Sequence, residues 1–253
     1  MTGYRLMGSV NSNSDDIIKD AIILAGGFAT RLKSVVPDQP KALADVSGKP
    51  FIVYQLEWLI EQGITHVTLA VHHLADQLQS FANNWSDERL IIDCVYEDEP
   101  LGTGGAIANV ILKKKITGKI LVINGDTLFQ FSLKKAQFLT NNISGLVLIF
   151  ASAKKDISRF GSIQVDGNYV TSFLQATEIH KPGLVNGGAY LMDTSLFKNK
   201  KIIPFSLEYD FFPSLILKNK LMVYILNKKE SFFDIGTPES YREICSKDNL
   251  KDE

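Results

Sequence analysis

Short apolar runs recur through the first half of the chain, separated by stretches where apolar residues return every three or four positions. The runs at 21–24, 66–72, 91–97 and 120–123 read as buried strands. Between them, 50–62 carries Ile52, Leu56, Leu59 and Ile60 on one helical face. Pro50 suits the first turn of that helix and Gly63 its stop. Residues 74–83 and 102–112 read as two more helices. Strands alternating with amphipathic helices predict βαβ units around a mixed, mostly parallel sheet, an α/β fold.

The pattern changes after residue 145. Segments 145–151, 161–165, 169–174 and 187–192 read as strands joined only by loops. A helix is expected over 206–218, with Pro213 kinking it or altering its first turns. A strand at 221–226 and a closing helix at 238–246 complete the reading. The expectation is one continuous domain over 20–253, with a nucleotide-binding half at about 20–130 and a more antiparallel half at about 131–253. Residues 1–19 read as a flexible polar leader, with 11–16 resembling a solvated tail. No repeat, heptad pattern or low-complexity linker interrupts the chain.

Composition narrows the partners. Lysine and arginine number 27 against 28 acidic residues, so no basic face for nucleic acid is implied. The two cysteines, Cys94 and Cys245, lie far apart without ligand spacing, which suits a reduced, cytoplasmic setting. The apolar runs are too short to span a bilayer, and the first twenty residues lack the apolar core of a secretion signal.

Candidate chemistry starts in the loop after the first strand. Gly26 and Gly27 let backbone N–H groups approach an anion, and Arg31 and Lys41 add positive charge. A glycine turn with solvated basic residues is the plainer alternative. Asp126 ends the 120–123 strand in Asn124-Gly125-Asp126, and Asp234 precedes Ile235-Gly236-Thr237-Pro238. Each alone suits a turn or a helix cap. Two aspartates near a polyphosphate loop suit Mg²⁺, which takes one or two carboxylates plus phosphate oxygens and water. Together these residues suggest phosphoryl or nucleotidyl transfer, in which positioning and charge neutralisation do most of the work. The segment 97–106 adds glycines at a helix entrance, which admit a base or ribose, and carboxylates that could accept from guanine N–H groups. A simple strand-to-helix turn with Thr103 near the cap is its plainer reading.

Taken together, the chain resembles the sugar-1-phosphate nucleotidyltransferases. The matching residues are Leu24-Ala25-Gly26-Gly27-Phe28-Ala29-Thr30-Arg31-Leu32, Pro40-Lys41, Glu99 through Ala106, Asn124-Gly125-Asp126, Arg159-Phe160-Gly161, Asn186-Gly187-Gly188-Ala189-Tyr190 and Asp234 through Pro238. They occur in family order over roughly 20–246. The pattern is most similar to the guanylyltransferases of D-glycero-α-D-manno-heptose 1-phosphate, with those of mannose 1-phosphate next.

The resemblance implies a Rossmann-like three-layer αβα nucleotidyltransferase fold and a Mg²⁺-dependent reaction. A sugar 1-phosphate oxygen attacks the α-phosphorus of a nucleoside triphosphate, GTP by preference, and pyrophosphate leaves. It assigns catalysis to Arg31, Lys41 and Asp126, and the metal to Asp126 and Asp234. Leu24, Ala25, Gly26, Gly27, Thr30, Arg31, Glu99, Leu101, Gly102, Thr103, Gly104, Asn124 and Gly125 are expected to bind nucleotide. Gly161, Gln175, Asn186 and Gly187 are expected to line the sugar pocket.

One departure stands out. Many family members carry a Glu-Lys pair where this chain has Gln175-Ala176. Gln175 can still bond a hydroxyl, but Ala176 brings no cation, leaving His180 or Lys181 as candidates from the following loop. A non-catalytic nucleotide-sugar-binding relative is therefore the rival to an enzyme. Elsewhere, His66, His72 and His73 lack partners at ligand spacing, Trp58 and Trp85 read as packing, and Lys113–Lys115 as a solvated helix end. A homodimer is the default oligomer by symmetry.

Overall fold

The apolar run near the start becomes β1 (Asp20–Leu24), whose Ala21, Ile22 and Ile23 are buried on both faces. The structure, a computed structural model, describes residues 17–28, 30–141, 143–158, 161–174 and 180–246. The expected tail at 11–16 lies outside these, as do Ala29, Arg159, Phe160, Gln175 and Ala176. Ile18, placed in the expected leader, is buried in the core.

After β1 come a short ribbon of β2 (Asp45–Val46) and β3 (Lys49–Pro50), then α1 (Phe51–Glu61), β4 (His66–Val71), α2 (Ala75–Asn83) and β5 (Ile91–Tyr96). Next are α3 (Gly102–Lys114), β6 (Lys119–Asn124), β7 (Thr127–Gln130), α4 (Leu133–Thr140) and β8 (Val147–Lys154). The second half holds β9 (Ser162–Asp166), β10 (Tyr169–Leu174), β11 (Gly183–Asp193), α5 (Phe212–Ile216), β12 (Leu221–Ile225), β13 (Ser231–Asp234) and α6 (Pro238–Cys245).

Nine of these strands form one sheet in the order β5-β4-β1-β6-β11-β8-β12-β10-β9. Strands β5, β4, β1 and β6 are mutually parallel, as are β8 and β12. β11 runs against both β6 and β8, and β10 against β12 and β9. With β11 antiparallel between them, β6 and β8 point the same way. The carboxyl ends of β1, β6 and β8 therefore share one edge, where ligands of such sheets gather.

Helices cover both faces. Ile52, Leu56 and Leu59 of α1, Leu78 of α2 and Leu133 of α4 pack one side; Ile107 and Val110 of α3 and Phe212 and Leu215 of α5 pack the other. Burying each such side chain stabilises the fold by about 1.5–3 kcal/mol. A third, smaller cluster gathers Leu32, Val36, Ala44, Val46, Phe51, Leu128, Ile235 and Ile244 near the carboxyl edge.

Several expectations are revised. Pro50 precedes α1 and pairs in β3 instead of opening the helix. The helix expected over 206–218 is two pieces, a π-helical turn (Leu207–Phe211) followed by α5. Pro213 has no N–H to complete the preceding turn, so it sits in the first turn of α5, where none is needed. Strand β8 starts at Val147 because Gly145 adopts φ +64 and its N–H is taken by Asp193 Oδ2 at 2.6 Å. β11 is longer than its apolar core, since Gly183–Asn186 pair with the polar end of β8. The ribbon of β13 on β7, and α4, were not anticipated.

At the irregularity between Asn186 and Tyr190 of β11, Gly188 adopts φ +75 and lies against the side-chain amide of Asn124. A side chain here would be strained and would collide. Gly188→Ala should cost about 1–3 kcal/mol in urea unfolding; a variant as stable as the wild type would show that β11 does not need this conformation.

Candidate active site

Asn124 ends β6, and Gly125 turns the chain against the end of β1, donating its N–H to the Leu24 carbonyl at 3.0 Å. A Cβ on Gly125 would come within 2.7 Å of that oxygen, so only glycine fits. Asp126 follows, and the chain enters β7. Antiparallel pairing sets Asp234 of β13 opposite Thr127, and the Ile235 N–H donates to the Asp126 carbonyl at 2.9 Å. Two aspartates remote in sequence are thereby brought side by side.

Gln55 straps the turn from below. Fully buried on α1, its Nε2 donates to the Asn124 carbonyl at 2.8 Å and the Thr127 carbonyl at 2.7 Å. In the sequence this residue shows only as an amide inside the apolar stripe of Ile52, Leu56 and Leu59, and it is not among the candidate site residues above.

Charge is tightly balanced here. Lys41 Nζ lies 2.7 Å from Asp126 Oδ2, and Thr127 Oγ1 donates to Asp126 Oδ1 at 3.2 Å. Burial raises the Asp234 pKa, and the Asp126 charge raises it further. The Gly236 N–H bond and the Lys41 and Arg31 charges pull the other way without cancelling the rise. Arg31 itself is exposed beside this group. Among the described residues no cluster of three or more His, Cys, Asp or Glu could hold a metal. Two hard carboxylates, one destabilised by the other, do fit a divalent cation that completes its shell from phosphate and water.

A cavity of about 300 Å³ opens beside this pair. Of the residues expected to bind nucleotide, Leu24, Ala25, Gly26, Gly27, Gly102, Thr103, Asn124 and Gly125 line it, together with Lys41 and Asp126. Thr30 and Arg31 are exposed and outside the lining. Glu99 is exposed and outside the lining; Glu97 is the carboxylate in the wall. Its Oε2 accepts the Leu101 N–H at 2.9 Å, and burial raises its pKa despite that bond. Leu101 is buried behind it. Phe28 also lines the cavity, its ring against those of His72 and His73.

Gly104, expected beside the nucleotide, is outside the cavity lining. It lies directly under the Phe205 ring, and the Phe205 carbonyl accepts the Gly104 and Gly105 N–H groups at 3.0 and 3.3 Å. The glycines of α3 thus admit the chain's own 203–205 segment, which caps the helix. Of α3, Gly102, Thr103 and Ala106 line the cavity.

The expected sugar residues lie beyond this cavity. Ser162 pairs with Val185, which brings Gly161 close to Asn186 and Gly187. Gln175 is outside the described residues. Asn186 Nδ2 donates to the buried Tyr190 hydroxyl at 2.8 Å, and that hydroxyl donates to Glu208 Oε1 at 3.2 Å. Burial, then Glu208, pushes the Tyr190 pKa far up, so it stays a donor. Glu208, in the π-helical turn, also accepts from Ser206 at 3.0 Å and from Thr103 at 3.4 Å. The network therefore runs from Asn186 of β11 to Thr103 in the cavity wall. Trp58 packs on Phe129 and Phe131 as expected.

Comparisons with known proteins show the family and the fold. The family described as nucleotidyl transferase matches residues 20–250. A D-glycero-alpha-D-manno-heptose 1-phosphate guanylyltransferase of Campylobacter jejuni is 35% identical over 226 residues, covering 87% of this chain and 96% of that one. Its counterpart in Aneurinibacillus thermoaerophilus is 33% identical over 224 residues, 88% and 95% of the two chains. The crystal structure of HddC from Yersinia pseudotuberculosis complexed with GMP-PN superposes with a TM-score of 0.78 at 34% identity. It covers 90% of this chain and 98% of its own.

Two outcomes follow from the electrostatics and the strap. An aspartate whose folded pKa is raised loses stability as pH climbs from the ordinary carboxyl range through the raised value, and the loss persists above it. Asp234→Asn should therefore melt higher than the metal-free wild type at pH 7, with the difference vanishing where Asp234 is protonated. Mg²⁺ should raise the melting temperature of the wild type only. An unchanged or lower melting point at pH 7 would refute the repulsion. Gln55→Leu, which orphans two carbonyls, should cost about 1–3 kcal/mol; urea titration reads this directly.

Proposed function

The chain belongs to the nucleotidyl transferase family, and from that membership we propose that it is a sugar-1-phosphate guanylyltransferase. It joins GMP from GTP to a sugar 1-phosphate, D-glycero-α-D-manno-heptose 1-phosphate by preference, and releases pyrophosphate. The observation that carries this reading is the Asp126–Asp234 pair, set by the β7–β13 ribbon at the mouth of a cavity walled by Glu97. The likeness to heptose 1-phosphate guanylyltransferases over most of both chains supports the choice of acceptor.

The residues divide the work. Gly26 and Gly27 bring backbone close to the nucleotide, and Arg31 steadies the departing pyrophosphate. Half-buried Glu97 offers a carboxylate to the N1–H and N2–H₂ donors of guanine. Lys41 and Asp126 form a fixed ion pair beside the reacting phosphate. Asp126 and Asp234 would hold Mg²⁺, which neutralises charge on the transferring phosphate. No covalent nucleophile is required of the protein, because the acceptor phosphate already is an anion. Positioning in line and charge stabilisation account for the chemistry.

No helix among the described residues is long and apolar enough to cross a membrane. Both cysteines are free thiols. We place the enzyme in the cytoplasm, where nucleoside triphosphates are supplied, and its product in bacterial surface-polysaccharide synthesis.

The test is pyrophosphate release with Mg²⁺, four nucleoside triphosphates and a panel of sugar 1-phosphates that includes manno-heptose and mannose. GTP with the heptose phosphate should turn over fastest; tight nucleotide binding without turnover for any pair would leave a binding-only protein. Asp126→Ala should lose at least ~100-fold in kcat while remaining folded. Glu97→Gln should lower kcat/KM for GTP by about 10-fold or more and narrow the preference over ATP, since an amide cannot accept both guanine donors. An unaltered preference would remove Glu97 from base recognition.

A further inference from the structure

A sugar 1-phosphate brings a second anion to the site, so the cations able to meet it can be weighed in turn. Lys41 is engaged by Asp126 at 2.7 Å. Arg31 stands on the exposed glycine-loop side. Ala176 contributes no charge. His180, from the loop expected to compensate, is exposed, and Asp156 Oδ2 holds its Nδ1 at 2.7 Å. Lys181 is exposed on the surface beyond it, and its carbonyl accepts the Ile157 N–H at 3.0 Å.

Lys154 is different. It is the last residue of β8, at the same sheet edge where β6 delivers Asp126, and it is half-buried. It pairs with Gly183 of β11, the strand that carries Asn186 and Gly187. Its ammonium sits 4.8 Å from the centroid of the Phe232 ring. That ring belongs to β13, two residues before Asp234, and it also packs on Gly187, where a Cβ would come within 3.1 Å of Phe232 Cδ1. One aromatic side chain thus touches the sugar-side turn, the carboxylate ribbon and this lysine. Among the described residues no carboxylate pairs with Lys154. An ammonium drawn partly out of water over an aromatic face keeps a weak attraction to the ring, yet its charge still lacks an anion.

We propose that Lys154 binds the phosphate of the acceptor sugar 1-phosphate, with Phe232 as the platform that holds its ammonium in place. This rests on the guanylyltransferase reading and adds the residue that recognises the second substrate. It also accounts for a chain that lacks a lysine at Ala176 while keeping Arg31, Lys41, Asp126 and Asp234.

The experiment uses the full chain with Mg²⁺, GTP and whichever sugar 1-phosphate of the panel turns over best. Lys154→Met preserves the length that packs on Phe232 and removes the charge. It should raise KM for the sugar 1-phosphate by about 10–100-fold, as expected for a lost charge-assisted contact. KM for GTP should stay within about twofold and the melting temperature should not fall. Lys154→Arg should recover most of the loss, and exposed Lys155→Met should behave as wild type. An unchanged KM for the sugar phosphate in Lys154→Met, or an equal rise in both KM values, overturns the proposal. A wild type that turns over beside an unaffected Lys154→Met overturns this proposal alone. A wild type that releases no pyrophosphate with any pair overturns the guanylyltransferase reading, and this proposal with it.

Discussion

Asp126 and Asp234 repel one another, so the backbone has to supply what keeps them together. Burial raises the Asp234 pKa and the neighbouring carboxylate raises it further, which marks the pair as costly. The cost is met by structure around it. Pairing of β7 with β13 fixes the register, and the Ile235 N–H ties the second strand to the Asp126 carbonyl. Gln55 holds both ends of the intervening turn from the core side. Leu128 and Ile235, each close in sequence to one aspartate, pack into the same small cluster as Leu32 and Ala44, which flank Arg31 and Lys41. Backbone hydrogen bonds and apolar packing thus jointly position four charged groups whose mutual interactions alone would not.

The same edge of the sheet has to serve two substrates, and the antiparallel insertion of β11 makes this possible. Because β11 runs against β6, its amino-terminal half meets the carboxyl end of β6. Its irregularity between Asn186 and Tyr190 puts Gly188 against Asn124, so the turn in β11 leans on the one after β6. Tyr190, Glu208 and Thr103 form a second connection on the other face of the sheet. The π-helical turn that presents Glu208 exists because Pro213 cannot continue an α-helical ladder through that point. A shift at the β11 turn therefore has hydrogen-bonded routes to the cavity wall.

Much of this was legible in the residues, and the remainder was hidden for definite reasons. Strands such as β1, β4 and β6 announce themselves because burial on both faces demands continuous apolar runs. Asp126 was visible because it follows such a run in an Asn-Gly-Asp turn. The ribbon of β7 and β13 was not visible: four-residue strands carry too little periodicity, and their pairing depends on contacts remote in sequence. Choosing between Glu97 and Glu99 required knowing where the strand stops: in a continuing strand the two would share a face, but β5 ends at Tyr96 and the chain turns before Glu99. Gly104 misled for a related reason. A glycine at a helix entrance signals close approach, but whether a ligand or Phe205 approaches is decided by a loop a hundred residues on. Gln55 could have been found, because a buried amide in an apolar stripe needs partners and backbone carbonyls are the usual ones.

The balance of charge among these side chains bears on the proposed need for a divalent cation. The charges of Arg31 and Lys41 offset those of Asp126 and Asp234, so this group of four is formally neutral, and the Lys41–Asp126 contact at 2.7 Å commits one of the two cations. A nucleoside triphosphate and a sugar 1-phosphate together bring several negative charges. A neutral site gives them no net attraction, and direct burial of unpaired phosphate charge is expensive. If the pair holds Mg²⁺ as proposed, a cation arriving with the triphosphate would turn their repulsion into coordination. The aspartates would then lower the affinity of the protein for bare phosphate and raise it for phosphate accompanied by a divalent cation. On that reading the acid pair would be a selectivity device as well as a ligand set, favouring the metal complex of the nucleotide over the free nucleotide. That cation would be shared with the nucleotide, leaving the acceptor in need of a positive charge of its own, the part proposed for Lys154.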